Sequence, residues 1–231
     1  MKLLSKNSFF EDKCPYIKNE KFKQEYFFAT DFTEDDYQKF LEVGWRHFGN
    51  YFFKPVCKKC KKCQPIRVDV QNFTPSKSQR KIFKKNEKIE VIISSLNPTL
   101  EIYELYKKHS KVKFNQESNI DNFIYSFYYK SEITLQSEYY YNDKLVGIGF
   151  IDKVKNGLSS IYFAYDIDYS HLSLGTYSAI YEINYAKSLN LKYYYLGYYI
   201  KESSRMSYKN RFKPYQLYDW NSKNWNLIEK L

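Results

Sequence analysis

The sequence predicts an α+β fold in two parts. A small, basic, cysteine-bearing N-terminal domain spans residues 1–95, and an α/β domain with a mainly antiparallel sheet spans 96–231. Three observations lead there. Three of the four cysteines and nearly all the net charge lie in one stretch, Lys54–Lys85. Beyond Pro98 the apolar pattern switches between helical and strand periods in the order helix, helix, three strands, helix, strand. No internal repeat or low-complexity linker interrupts the chain, and 43% hydrophobic residues are ample for a packed core, which excludes disorder.

Residues 1–32 carry Cys14 in a CPY turn and then a strand around Glu25–Ala29. TEDDYQKFLEVGW is punctuated as a helix, with Thr33 as N-cap, acids in the first turn and Gly44 as the stop. Tyr37, Phe40 and Leu41 give that helix one apolar face. HFGNYFFKP reads as a turn at Gly49–Asn50 and a short strand ending at Pro55; IRVDV alternates as a second strand. Thr74 then caps a helix with Pro75 in its first position.

KIEVIIS (residues 88–94) has the composition of a buried strand, and Asn97–Pro98 opens a helix through His109. A further helix near Ile120–Tyr129 precedes three strands, Ile133–Tyr141, Leu145–Asp152 and Leu158–Asp166, joined by the turns Asn142–Asp143 and Lys155–Asn156–Gly157. A long helix covers Ser173–Leu189, the strand YYYLGYY covers 193–199, and a short β tail holds Trp220 and Trp225. A meander that feeds a helix and then another strand suggests a domain of the N-acetyltransferase (GNAT) type, an inference about fold that says little about substrate.

The charge points to a partner. Lys54–Lys85 has eleven Lys/Arg against one acid, Asp69, a net +10 in a chain whose total is +11. Such a surface fits a polyanion, most simply a nucleic acid. On the helix after Thr74, the residues Lys77, Arg80, Lys81, Lys84 and Lys85 fall in one stripe about 140° wide, with no acid on that face, and are the candidate tRNA-binding residues. The abundance of tyrosine and phenylalanine, 26 and 18 residues, follows genome composition rather than base stacking. No apolar run is long enough to span a membrane and no signal-peptide core is seen at the N-terminus; four cysteines, three within seven residues, fit a reducing compartment, so a cytoplasmic protein is expected, with a monomer as the default.

Cys57, Cys60 and Cys63 form a CxxCxxC array, and Cys14 is the only other cysteine to complete a four-thiolate site. Soft thiolates suit zinc, an iron–sulfur cluster or a redox-sensitive thiol set, structural or regulatory in role. The flanking Lys58, Lys59, Lys61 and Lys62 are expected to lower the thiol pKa values. The helix start at Ser173–Thr176 offers N–H groups to an anion but lacks the longer Gly-rich loop of an acyl-CoA enzyme. Arg205, Lys209, Arg211 and Lys213, with Tyr198, Tyr199 and Tyr208 beside them, form a second basic and aromatic cluster suited to RNA or to a carboxylate. Asp166, Tyr198 and Glu202 are the candidate catalytic groups, with Glu138 a further possible proton acceptor; the three histidines show no ligand spacing.

Several of these segments together resemble a known family. WRHFGNYFFKPVCKKCKKCQPIRVDVQNFTPSKSQRKIFKKN is similar to the N-terminal signature of the aminoacyl-tRNA–protein transferases. KLVGIGFID, SSIYFAYDIDY, SLGTYSAIYEINYAKSLNLKYYYLGYYI and SRMSYKNRFKP extend the likeness, in the family's order, from about Cys14 to Pro214. Length and CxxCxxC spacing resemble the bacterial aspartate/glutamate leucyltransferases more than the eukaryotic arginyltransferases. The resemblance implies transfer of leucine from leucyl-tRNA to the α-amine of proteins beginning with Asp or Glu, marking them for degradation. It also implies a GNAT-like second domain and no cofactor for the acyl step. Arg67, Arg205, Lys209 and Arg211 become candidates for binding the acidic substrate. Arginyl transfer to the same N-termini, a non-catalytic RNA-binding metal module and an acyl-CoA acetyltransferase are the competing readings.

Overall fold

The computed structural model describes residues 1–129 and 131–228. Its first sheet contains β1 (Lys2–Leu3), β2 (Ser8–Lys13), β3 (Lys21–Thr30), β4 (Arg46–Phe48) and β5 (Tyr51–Pro55), with helix α1 (Glu34–Glu42) between β3 and β4. β3 pairs with β1 and β2 on one edge and with β5 on the other, and β4 closes the far side. α1 starts where expected: Thr33 accepts from the Asp36 N–H and Asp36 reaches back to the Thr33 N–H, a capping box. Gly44, at φ +83, takes the left-handed turn that releases the chain into β4. The β1 and β2 strands and the short β4 were not expected; SFFEDK is an exposed edge strand, without the half-buried alternation that marks a strand in sequence.

The second sheet has eight strands in the order β13-β12-β6-β11-β10-β9-β8-β7. They are β6 (Gln64–Asp69), β7 (Glu90–Ser95), β8 (Thr134–Tyr141), β9 (Lys144–Val154), β10 (Gly157–Tyr165), β11 (Tyr193–Tyr199), β12 (Tyr215–Asp219) and β13 (Asn224–Ile228). All neighbours are antiparallel except β10 and β11, which run parallel across helix α5 (Leu174–Ser188). The expected boundary at residue 95 therefore falls inside this sheet: β6 and β7, from before it, pair with β11, β12 and β8. The change of sheet comes earlier, between Pro55 and Gln64, and the CxxCxxC loop is that connection.

Helix α2 (Lys77–Lys85) begins two residues later than Thr74 and Pro75 suggest, because Ser76 and Gln79 form a capping box. α3 (Leu100–Phe114) is capped by Thr99 and continues past His109 until Asn115 turns left-handed at φ 53. α4 (Ile120–Phe127) packs with α3 over β9 and β10 through Ile102, Phe123, Phe127, Ile148 and Phe150. On β11 alternate side chains serve two cores. Tyr194 and Leu196 meet Ile180 and Ile183 of α5, whereas Tyr193 and Tyr195 join Phe27, Tyr37, Trp45 and Phe52 of the first sheet and α1. The first sheet is thus docked against one face of β11 and α5 against the other. No helix among the described residues is long and apolar enough to cross a membrane.

Candidate active site

The feature that makes a site is the parting of β10 and β11. They pair over only three residues, Gly157–Ser159 with Tyr193–Tyr195, and then separate. Both strands are irregular at that point: the β10 register shifts between Ser160 and Tyr162, and the β11 register between Tyr195 and Gly197, where Gly197 has φ +82. Bulges bend strands and end pairing, so the two facing edges open into a cleft.

Two buried cations line it. Arg46, at the start of β4, donates from Nη1 to Ser159 Oγ (3.0 Å) and from Nη2 to the Ser160 carbonyl, both on β10. Lys209 follows the short helix α6 (Ser204–Ser207) and donates from Nζ to the Tyr198 carbonyl at 2.9 Å. A Cβ placed on Gly197 would lie 3.6 Å from Lys209 Nζ and 3.8 Å from Arg46 Nε. Their exposures are 8% and 9%, and neither makes a salt bridge among the described residues. Burial, with Arg46 adding repulsion, pulls Lys209 down to about 7. The nearby acid, Asp152, is occupied: its two oxygens take His47 Nε2 at 2.8 Å and the Thr134 hydroxyl at 2.7 Å.

On the α5 side of the sheet, Glu182 is buried and accepts from Tyr194 Oη at 2.5 Å. Burial raises its carboxyl to about 8, so it is protonated at neutral pH. Ser137 Oγ and Tyr139 Oη, on neighbouring β8, are buried with no hydrogen-bond partner among the described residues.

Of the residues expected to bind substrate, only Lys209 reaches the cleft. Arg67 lies in β6, where Nη1 contacts both Glu42 carboxylate oxygens at 2.8 Å and Nε donates to Gln216 at 2.7 Å. Its guanidinium stacks 3.6 Å from the Tyr193 ring centroid and 4.2 Å from that of Trp225, so its charge is consumed within the fold. Arg205 and Arg211 are exposed, Arg205 lying over Phe114.

The candidate catalytic groups are also otherwise engaged. Asp166 caps the 3-10 turn after β10 and pairs with Lys108 at 2.6 Å and Lys144 at 3.0 Å. Burial raises its carboxyl, but the lysine hydrogen bonds outweigh that and hold it below the usual range, which makes it a poor base. Tyr198 donates to the Gly44 carbonyl at 2.8 Å, and burial puts its hydroxyl far above neutral pH. Glu202 is exposed and its hydrogen bond from Lys62, at 2.9 Å, lowers its pKa. Arg46 was not anticipated; a basic residue between Trp45 and the apolar run to Phe53 was its one signal.

On α2, Lys77, Arg80, Lys81, Lys84 and Lys85 are all exposed. Arg80 and Lys84 edge a groove of about 260 Å³ against Ile180 and Asn184 of α5. The cysteines gather, with Cys57, Cys14 and Cys60 all close enough to act on the Cys63 thiol. No set of three or more Cys, His, Asp or Glu among the described residues is placed to hold an ion. Cys63 is buried, and instead of being lowered by the neighbouring lysines its thiol is pushed up to about 12, first by burial and then by Cys57, Cys14 and Cys60.

Comparison with known proteins matches two family models, the N terminus of arginine-tRNA-protein transferase over residues 12–81 and its C terminus over residues 99–219. The chain belongs to the aminoacyl-tRNA–protein transferase family. Relatives of this transferase include the aspartate/glutamate leucyltransferase of Campylobacter jejuni, 35% identical over 215 residues and 90% of each chain. That of Helicobacter hepaticus is 33% identical over 221 residues, again 90% of each. Among solved structures, L-PGS from Bacillus licheniformis overlaps 71% of this transferase and 50% of its own chain, at TM-score 0.48 and 13% identity.

Proposed function

We propose that this protein transfers leucine from leucyl-tRNA to the α-amine of proteins that begin with Asp or Glu. The observation that carries the reading is the likeness to leucyltransferases over nine-tenths of both chains. The family models bear the name of arginyl transfer, so arginine is the second reading. The GNAT-like arrangement expected from the element order supports the β10–β11 cleft as the site of reaction in this reading. An aminoacyl ester is already activated, and an α-amine with a pKa of about 7.7–8.0 is partly neutral at working pH. The protein therefore has to align amine and ester and stabilise the oxyanion, which takes no cofactor. The α2 stripe, with its exposed cations on one face, serves the tRNA backbone.

The test offers labelled leucine and arginine in parallel with bulk tRNA, a synthetase mixture and peptides beginning with Asp, Glu or Ala. Leucine on the acidic peptides alone is expected. Arginine instead would replace the donor; incorporation of neither, with tRNA still bound, would overturn the enzyme reading.

A further inference from the structure

Resting on that reading, we infer that Arg46 and Lys209 are the clamp that recognises the acidic side chain of the acceptor's N-terminal residue, with Gly197 leaving the room its carboxylate occupies. Two like charges buried side by side oppose folding, since each loses hydration and gains only repulsion from the other. Elsewhere in the molecule the buried guanidinium of Arg67 is answered by the Glu42 carboxylate. Among the described residues no carboxylate pairs with Arg46 or Lys209, and an anion from outside would answer both.

The geometry fits a carboxylate. Each cation is held by one element and keeps donors to spare: Arg46 spends two of its five on β10, and Lys209 one of its three on the Tyr198 carbonyl. Both lie within 4 Å of the point where a Gly197 side chain would begin, so the missing Cβ marks a space bounded by both charges. A carboxylate there receives charge-assisted hydrogen bonds from both sides and cancels their repulsion. The two partners also differ usefully. Arg46 is a planar group fixed by two bonds to β10, whereas Lys209 is a point charge on a flexible stem. A fixed and an adjustable donor together accept Asp and Glu, whose carboxylates differ in reach by one methylene.

The experiment measures binding and transfer with the full chain and peptides that begin with Glu, Gln, Asp or Asn. In the wild type the acidic peptides are expected to bind at least tenfold more tightly than their amides. Lys209→Met removes the charge at similar length; the Glu/Gln ratio is expected to fall at least tenfold, and Lys209→Arg to restore it. Because the charge costs stability, Lys209→Met is expected to keep or raise the melting temperature. An unchanged ratio in a folded Lys209→Met protein would overturn the clamp. So would a matching loss of tRNA affinity with the ratio intact, which would assign the pair to a phosphate. If the variant fails to fold, competition on the wild type reads the same point: a dipeptide beginning with Glu displaces labelled peptide, and one beginning with Gln does not. Equal competition would overturn the proposal. Wild-type protein that binds acidic peptides selectively yet transfers no leucine would instead break the functional reading and leave the clamp in place.

Discussion

Arg67 and Arg46 are both buried arginines on strands that face the docking surface between the two sheets, yet they spend their charge in opposite ways. Arg67 has a carboxylate, an amide and a phenol around it and two aromatic rings against its faces. Arg46 has one hydroxyl, one carbonyl and, as its neighbour, another cation. The same residue type is structural where the fold meets its valence and functional where the fold leaves it open. Burial alone does not separate the two, since both are under 9% exposed.

The sharpest way to break that comparison is Arg67→Ala. Removing one member of a buried pair costs about 3–5 kcal/mol, and the lower end applies because Glu42 keeps 37% exposure. Urea unfolding is expected to show that loss while the folded fraction keeps its preference for Glu over Gln peptides. A protein of normal stability that loses the preference would return Arg67 to the substrate.

Glu182 extends the comparison to a buried acid. Its carboxyl is raised to about 8, whereas in the unfolded chain it ionises near 4.5. Between those values the folded state binds the extra proton, so stability contributed at low pH is lost as pH rises through that window. Glu182→Gln is expected to melt about 2–4 °C higher than wild type at pH 8, the shift that about 1 kcal/mol produces in a chain of this size. The difference should vanish toward pH 4. A gap that does not change with pH would show that the carboxyl is not the source.

The smallest effect belongs to Asp166, whose lysine partners are largely exposed. Asp166→Asn is expected to cost about 1 kcal/mol of stability and leave kcat within twofold of wild type. Its carboxyl is depressed in the folded state, so this contribution is present above the ordinary Asp value of about 3.9 and lost as pH falls through the lower folded one. A drop of a hundredfold or more in kcat would make it catalytic after all.

Elements with a local cause were legible in the sequence. Thr33 and Gly44 delimit α1 by capping chemistry that acts within a few residues, and the meander β8–β10 follows from alternation and turn residues. The cleft was not, because its causes are distant. Arg46 meets Ser159, 113 residues away, and nothing near Trp45–His47 announces that partner. Asp166 and Arg67 looked free for the same reason: Lys108 and Glu42 neutralise them across the fold, at 58 and 25 residues' separation. Lys209 was found through its basic neighbours, although it is the one member of SRMSYKNRF whose charge is buried in the cleft.

The placement of β6 has a consequence for synthesis. This strand sits between β11 and β12, and its Arg67 bonds to Gln216, 149 residues later. At roughly 5–20 residues per second, a ribosome takes on the order of 10–30 s to make that partner. Until Tyr193–Tyr199 of β11 are made, the nascent chain carries Ile66 and Val68 with both edges of their strand open, and until β12 follows, with one. The native pairing of the first half of this protein thus waits for the last strands to emerge.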